Sequence, residues 1–184
     1  MTDRAPARCP RCLGAERFCI CDALTCVPCT RRVVVLQHVL EQSEVSNTGR
    51  FIPLVLRGAE LRPHGVKEAP LVTDDLAGAV LLFPDERAPQ PKPSDVTSLV
   101  VVDASWSQAR RMVQRIPALR SLPRISLKVN APEKSLRDAP PGGLSTLQAL
   151  ARTLALLGDE RAAAALERVH ARLVARTLAA RGYV

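Results

Sequence analysis

Residues 98–116 read SLVVVDASWSQARRMVQRI, and this stretch decides the fold because it places a strand and a helix in succession. The apolar run 99–102 is short and rich in β-branched residues, which is typical of a strand buried in a parallel sheet. Beyond it, apolar residues recur at helical spacing, and they are Trp106, Ala109, Met112, Val113 and Ile116. The stretch predicts a strand that ends at Asp103 and a helix that begins after Ser105.

The position of Asp103 and Trp106 has two interpretations. Open α/β sheets bind ligands at the carboxyl ends of their strands, so both residues are candidates for an active site. However, Asp before Ala-Ser is also a common helix N-cap, and a single Trp at a helix start usually belongs to the core. Taken alone, these residues favour the structural interpretation.

The rest of the chain alternates between strand and helix patterns. Strands are predicted at 33–38, 79–84 and 122–127, with short extended pieces at 60–62 and 70–72. Three helices are predicted: one begins within 46–50, one runs from Ser145 to Leu157, and one spans 159–181. The buried stripe of the last helix is predicted to be Leu166, Val169, Leu173 and Leu178. This alternation predicts an α/β fold with a mostly parallel sheet.

The bulk composition is that of one domain with a small appendage. The chain has 184 residues, of which 47% are hydrophobic, enough for a substantial core. No apolar run approaches the roughly 18 residues that span a bilayer, and the first residues do not resemble a signal peptide. We therefore expect a protein of the cytoplasm without a membrane partner.

The net charge of +8 is unevenly distributed. Residues 104–137 carry eight basic and one acidic residue, directly after Asp103. Such a basic segment favours a polyanionic partner such as RNA or DNA, although it also suits a solvated surface. The candidates for phosphate contacts are Arg31, Arg32, Arg110, Arg111 and Arg115.

All six cysteines lie within residues 9–29, which in a cytoplasmic chain indicates a metal site rather than disulfides. Two sets have zinc-like spacing, namely Cys9, Cys12, Cys19 and Cys21, or Cys9, Cys12, Cys26 and Cys29. Either four-sulfur site would be closed and therefore structural, and an iron–sulfur cluster lacks a clear spacing. We divide the chain into a zinc-binding segment, 1–32, and an α/β domain, 33–184.

Six short motifs occur in one order along the chain. They are Cys-x2-Cys-x6-Cys-x-Cys from Cys9, Leu36-Gln37-His38-x-x-Glu41, Ser46-Asn47-Thr48-Gly49-Arg50, Leu82-Phe83-Pro84-x-Glu86, Asp103-Ala104-Ser105-Trp106-x-x-Ala109-Arg110, and Leu144-Ser145-Thr146-Leu147-Gln148-Ala149. In this order they resemble the DTW-domain family, tRNA-uridine aminocarboxypropyltransferases related to the SPOUT superfamily. The resemblance covers about residues 9–157.

The resemblance implies a fold and a reaction. The fold would be an α/β domain with a SPOUT-like C-terminal trefoil knot, in a chain that can dimerise. The reaction would move the 3-amino-3-carboxypropyl group of S-adenosylmethionine to N3 of a tRNA uridine and release methylthioadenosine. The resemblance also favours Cys9, Cys12, Cys19 and Cys21 as zinc ligands, because Cys26 and Cys29 are extra to the pattern. The alternatives are a non-catalytic zinc-bearing RNA-binding module and an S-adenosylmethionine-dependent RNA methyltransferase.

The implied site centres on Asp103, as a base for N3 or as a charge that positions the sulfonium, with Ser105 and Trp106 beside it. For the donor, the candidates are Leu82, Phe83, Pro84, Asp103, Leu127, Lys128, Ser145, Thr146 and Gln148, where free N–H groups at the helix start would take the donor carboxylate. For RNA, the family motifs add His38, Asn47 and Arg50. Three positions depart from the family pattern, namely Val39 for Pro, Ser105 for Thr and Gln148 for Glu, whose amide cannot act as a base.

Overall fold

The computed structural model describes residues 7–44, 46–85, 90–127, 144–180 and 182. The strands are β1 (Val27–Pro28), β2 (Arg32–His38), β3 (Leu56–Arg57), β4 (Glu60–His64), β5 (Val80–Leu82), β6 (Ser98–Asp103) and β7 (Arg124–Ile125). The α-helices are α1 (Ile52–Val55), α2 (Trp106–Arg115), α3 (Pro117–Ser121), α4 (Thr146–Leu156) and α5 (Glu160–Ala180). Strands and helices alternate, which confirms the predicted α/β class.

The main sheet has five strands in the order β4-β2-β6-β5-β7, and every neighbouring pair is parallel. Strand β6 lies at its centre, so the strand predicted from residues 98–103 is the middle of the fold. Its register places Gln37 of β2 opposite Asp103, and His38 of β2 opposite His64 of β4. The carboxyl ends of the strands, and the polar residues that follow them, therefore meet at one edge.

The sheet is covered on both faces, since successive side chains of a strand point in opposite directions. Val35 and Val101 belong to a cluster that includes buried residues of α4 and α5. Val34 and Val100 belong to a second cluster with Met112 of α2. Burial on both faces explains why β2 and β6 are continuous apolar runs rather than alternating ones.

Most predicted elements are present, with three corrections. Residues 70–72 form no strand, and residues 46–50 lead only into one 3₁₀ turn, Gly49–Phe51, and the single turn of α1. Gly158 has φ +82°, the left-handed conformation expected after the end of α4. Leu178 is 37% exposed, so the prediction that it is buried is wrong; it lies in the last turn of α5, where no other described element packs on it as on Leu166 and Leu173 of the core cluster.

The cysteine-rich segment packs into the core of the domain. Cys9, Cys12 and Ile20 are buried in the same hydrophobic cluster as Leu166 of α5. Strand β1 pairs in parallel with β3, which joins the segment to the region after α1. The cysteine-rich segment thus packs into the same cluster as the buried residues of α4 and α5. The division of the chain at residue 32 stays a prediction.

Within the described ranges, no helix is both long and apolar enough to cross a membrane.

Candidate active site and four-cysteine cluster

The carboxylate of Asp103 lies at the end of the central strand and is 2% exposed. Its Oδ1 accepts a hydrogen bond from Thr146 Oγ1 at 2.7 Å. Its Oδ2 accepts from Gln37 Nε2 at 2.9 Å and from Asn47 Nδ2 at 2.5 Å. These three neutral donors offset the cost of burying a charge, so the carboxylate is held in one orientation.

Four separate segments supply this site. Gln37 is opposite Asp103 in the sheet, Asn47 follows β2 in the next loop, and Thr146 is the first residue of α4. Asn47 is itself held, since its Oδ1 accepts from the backbone N–H of Arg50 at 3.1 Å. The parallel topology therefore gathers at Asp103 side chains that lie far apart in the sequence.

Gly49 packs directly against the Asp103 carboxylate. A Cβ added at Gly49 would lie 2.3 Å from Cγ of Asp103, well inside contact distance. Gly49 is not among the glycines with positive φ, so its requirement here is space rather than backbone freedom. The glycine of the Ser46 to Arg50 motif thus allows the loop to close on the carboxylate.

The start of α4 is fastened to the same loop. The N–H of Leu147 donates to Thr48 Oγ1 at 3.3 Å, and the N–H of Gln148 donates to Ser145 Oγ at 3.3 Å. The Gln148 side chain accepts from the N–H of Ser145 at 3.1 Å, which completes the predicted capping box. The N–H groups of Leu147 and Gln148 are thus satisfied within the chain, and the role of Ser145 and Thr146 in binding the donor carboxylate stays a prediction.

The structure separates Asp103 from the cap of α2. Ser105 is the N-cap residue, and its N–H and Oγ both donate to Gln108 Oε1, at 2.9 and 2.7 Å. Trp106, the first residue of the helix, is 37% exposed. Asp103 therefore does not cap the helix, and Trp106 is partly exposed rather than fully buried in the core.

The residues predicted to hold the donor adenosine come to the same edge of the sheet. Leu82 ends β5 and is followed by Phe83 and Pro84, and Leu127 follows the neighbouring strand β7. Phe83 is held there by its N–H, which donates to the carbonyl of Ile125 at 3.2 Å. Lys128 lies outside the described residues.

His38 and the arginines predicted to contact phosphates lie in two parts of the fold. His38, Arg111 and Arg115 line one cavity at the carboxyl edge, and Arg110 is exposed on α2. Arg32 begins β2 at the opposite edge and forms ion pairs with Glu60, at 2.9 Å, and with Asp75. Arg31 donates to the backbone carbonyls of Val96 and Leu157 at 3.0 and 2.7 Å. The structure therefore does not bring Arg31 and Arg32 to the site.

Four cysteines come together in the N-terminal segment. The Sγ atoms of Cys9, Cys12, Cys19 and Cys21 all lie within 4.8 Å of one another. Cys26 is exposed and is not part of the group. The structure thus distinguishes between the two sets that the spacing left open, in favour of the first.

The donor chemistry of this cluster fits a closed zinc site. Hydrogen bonding from the Cys12 backbone lowers the pKa of the Cys9 thiol to about 6. Burial raises the pKa of Cys19 and Cys21, and the N–H of Cys21 donates to Cys19 Sγ at 3.4 Å. A bound cation would compensate four clustered thiolates, three of them buried, so the cluster suits the tetrahedral four-sulfur coordination of structural zinc.

Arg50 connects this cluster to the Asp103 site. Its Nε donates to the carbonyl of Asn47 at 3.1 Å. A Cβ added at Gly14 would lie 3.4 Å from Arg50 Nη1 and 3.5 Å from Cys12 Sγ, so the guanidinium and the Cys12 sulfur both lie next to Gly14. Of the two residues predicted as RNA contacts, Arg50 thus lies between the cysteine segment and the loop of Asn47, whereas Asn47 itself bonds to Asp103.

Sequence reasoning did not single out Gln37, Thr48, Gly49 and His64 as site residues. Gln37 and His64 are polar residues at strand ends, a position that the sequence pattern can reveal. Their partners, however, depend on the register of the sheet. Thr48 and Gly49 stand in a motif that was recognised, but their individual contacts depend on how the loop closes.

The chain is similar to known proteins over most of its length. The family model of the DTW domain matches residues 6–178. The chain is 27% identical over 166 residues to tRNA-uridine aminocarboxypropyltransferase 2 of Drosophila melanogaster, an alignment that covers 82% of this chain and 66% of that relative. The chain thus spans just under two thirds of the length of this relative. No solved structure matches the chain. Because the family model covers most of the sequence, including Asp103 and the four cysteines, this chain belongs to the DTW domain family.

Proposed function

We propose that this protein transfers the 3-amino-3-carboxypropyl group of S-adenosylmethionine to N3 of a uridine in tRNA. The observation that carries the proposal is a fixed, buried carboxylate, Asp103, at the carboxyl end of the central strand with the exposed ring of Trp106 three residues away. Membership of the DTW domain family and the name of the Drosophila relative support the same activity.

In this reaction a bond forms between N3 and a methylene carbon of the donor, the C–S bond breaks with its electron pair passing to sulfur, and the N3 proton passes to solvent water, giving the modified uridine and methylthioadenosine. The contribution of the protein is to orient the two reactants, because the donor already carries an activated leaving group. Both oxygens of Asp103 already accept hydrogen bonds, so a fixed negative charge facing the sulfonium is the role that its surroundings favour over proton transfer.

Trp106 serves the acceptor in this proposal. An indole that is 37% exposed at the sheet edge offers a flat surface on which a uracil ring can stack. Ser105 holds the first turn of α2, and thereby the indole, through its bonds to Gln108. The donor adenosine would lie at the loops after β5 and β7, against Phe83 and Leu127, where the trefoil knot of SPOUT-like folds is expected.

The four-cysteine cluster has a structural role in this proposal. Cys9, Cys12, Cys19 and Cys21 would hold one zinc ion, which would use all four ligand positions and leave none for a substrate. The zinc would fix the segment that contacts Arg50, and through Arg50 the loop that carries Asn47. The zinc site and the site of group transfer are thus expected at separate places in the fold.

Incubation of the purified protein with unmodified tRNA and S-adenosylmethionine tests the proposal. Mass spectrometry of the digested nucleosides should show 3-(3-amino-3-carboxypropyl)uridine, with methylthioadenosine as the co-product. Asp103→Ala should lose at least about 100-fold in rate, as expected when a fixed transition-state charge is removed. Asp74→Ala, at an exposed carboxyl, is the matched control and should retain full activity.

Two results would contradict the proposal in different ways. S-adenosylhomocysteine with a methylated nucleoside would identify an RNA methyltransferase. No donor binding by calorimetry, with tRNA binding intact, would identify a non-catalytic RNA-binding module.

A further inference from the structure

We propose that a cavity between the ends of β2 and β4 and the helix α2 binds one phosphate group of the tRNA backbone. The cavity has a volume of about 250 Å³, and its lining includes His38, His64, Arg111 and Arg115. Pockets that enclose a whole drug-sized ligand measure roughly 300–1,000 Å³, so this one suits a small group that belongs to a larger molecule. The inference rests on the proposed function for the identity of the RNA.

Two imidazoles form one side of this cavity, which we call the histidine–arginine pocket. His38 and His64 are opposite each other in the register of β2 and β4, with ring centroids 6.0 Å apart and planes at 61°. Nδ1 of His38 accepts a hydrogen bond from the N–H of Leu40 at 3.3 Å, which leaves the proton of the neutral ring on Nε2. His38 is therefore a hydrogen-bond donor on its free side without having to be charged.

Two guanidinium groups form the other side. Arg111 and Arg115 are four residues apart on α2, so they lie on the same face of the helix. Neither takes part in any ion pair of the described residues, whereas Arg32, Arg62 and Arg124 are all paired with carboxylates. No Asp or Glu is among the described residues that line the pocket. The positive charge of the pocket therefore has no counterion among the described lining residues, which favours an anion with several acceptor oxygens.

The order of the strands argues for an RNA phosphate rather than the donor carboxylate. The pocket lies beyond β2 and β4, on one side of the central strand β6. The loops after β5 and β7, with Phe83 and Leu127, lie on the other side of β6. Asp103 and Trp106 are between them. A polynucleotide whose uracil reaches Trp106 would thus extend its backbone away from the donor and towards the pocket.

Binding of inorganic phosphate alone tests the pocket without reference to the reaction. The imidazole carbon–proton resonances of the three histidines are followed by NMR during a phosphate titration and assigned with His38→Asn and His64→Asn. The resonances of His38 and His64 should shift, and that of His170, buried on α5, should not. Absence of a shift at His38 and His64 would overturn the proposal even if the protein is an active transferase.

Binding of tRNA then tests whether the phosphate comes from RNA. Arg115→Gln and His64→Asn should each weaken tRNA binding roughly 5- to 20-fold, as expected for the loss of a charge-assisted phosphate contact. For Arg115→Gln, the slope of log Kd against log salt should fall by roughly 0.7–0.9, the value for one phosphate. Arg120→Gln removes an exposed charge on α3, outside the pocket, and is the matched control with little change.

Measurement of S-adenosylmethionine binding distinguishes the proposal of a phosphate pocket from the proposed transferase function. The Kd for S-adenosylmethionine should be the same in Arg115→Gln and in the wild type; a loss of donor affinity would assign the pocket to the donor and overturn the inference. Equal tRNA binding by Arg115→Gln and Arg120→Gln would also overturn it, with the transferase activity left standing. Conversely, phosphate-dependent shifts in a protein that forms no modified uridine would support the pocket and contradict the proposed function.

Discussion

Thr146 Oγ1 donates a 2.7 Å hydrogen bond to Asp103 Oδ1 and so joins the first residue of α4 to the last residue of β6, 43 positions apart in the sequence. The same turn of α4 is held by Thr48, whose hydroxyl accepts from the N–H of Leu147. The loop after β2, the central strand and the start of α4 therefore form one hydrogen-bonded unit around the candidate catalytic carboxylate.

We expect Thr146→Val to disorganise this unit, because the substitution preserves shape but leaves Oδ1 of a buried carboxylate without its donor. The loss should be about 1–3 kcal/mol in the free energy of unfolding, or about 2–12 °C in Tm for a chain of this size. Transferase activity should fall at least about 10-fold, since the charge is no longer fixed. Calorimetry and the tRNA nucleoside assay measure the two effects.

Thr153→Val is the matched control for that variant. Thr153 is buried on the same helix, and its hydroxyl donates to the carbonyl of Ala149, away from Asp103. Thr146→Ser should restore activity because it restores the hydroxyl. If Thr153→Val and Thr146→Val lower activity equally, the bond to Asp103 has no special role.

Gly49→Ala should act on Asp103 by steric overlap. The new Cβ would meet Cγ of Asp103 at 2.3 Å, so the loop or the carboxylate must move, at a cost of about 1–3 kcal/mol. Asp103→Ala removes the atoms with which the methyl group collides. In the double variant, Gly49→Ala should therefore cost little further stability, although activity stays lost. Additive losses of stability in urea unfolding would contradict this contact, since a shared contact predicts a coupling of roughly 1 kcal/mol or more.

The four-cysteine cluster predicts one zinc ion per chain by metal analysis of the purified protein. Cys12→Ser should remove the metal, and Cys26→Ser, at an exposed cysteine outside the cluster, should retain it. Loss of zinc should also reduce transferase activity, because Arg50 lies next to Gly14 of the cysteine segment and donates to the carbonyl of Asn47. Full activity of a zinc-free, folded Cys12→Ser protein would show that the cluster and the site are independent.

The sequence was sufficient for features that depend on local pattern. Apolar runs predicted β2, β5 and β6, the Ser-x-x-Gln spacing predicted the start of α4, and cysteine spacing limited the metal ligands to two sets. The resemblance to the DTW family, carried by six motifs in order, is confirmed by the family match.

What the sequence could not show depends on contacts between distant segments. Gln37 bonds to Asp103 only because the parallel register sets them opposite each other. Arg32 was a reasonable phosphate ligand by charge, but its pairing with Glu60 and Asp75 arises because β2 and β4 are neighbours and the turn with Asp75 lies beside them. Exposure of Trp106 likewise follows from how α2 lies on the sheet, which helical periodicity alone does not reveal.

The ion-pair network of Arg32, Arg62, Glu60 and Asp75 predicts a loss of stability in acid. Hydrogen bonds from Arg62 lower the pKa of both carboxyls, Glu60 and Asp75, in the folded state. Groups with a depressed folded pKa stabilise the protein above their unfolded pKa of about 4 and lose that contribution as the pH falls through the folded pKa. Tm should thus decline below about pH 5, and the decline should be shallower in Asp75→Asn. Identical profiles for the variant and the wild type would show that solvent screening cancels the network.

The histidine–arginine pocket predicts that tRNA binding strengthens as the pH falls from about 8 to 6. Burial, and secondly the charge of His38, lowers the pKa of His64 in the free protein. A phosphate in the pocket would favour the charged imidazole and raise that pKa, so binding would take up a proton between the free and bound values. The other charged or titratable groups that line the pocket are His38, Arg111 and Arg115. The pH dependence of Kd should therefore be reduced in His64→Asn and unchanged in Arg120→Gln. A slope that is the same in all three proteins would assign the proton uptake to another part of the chain or to the RNA.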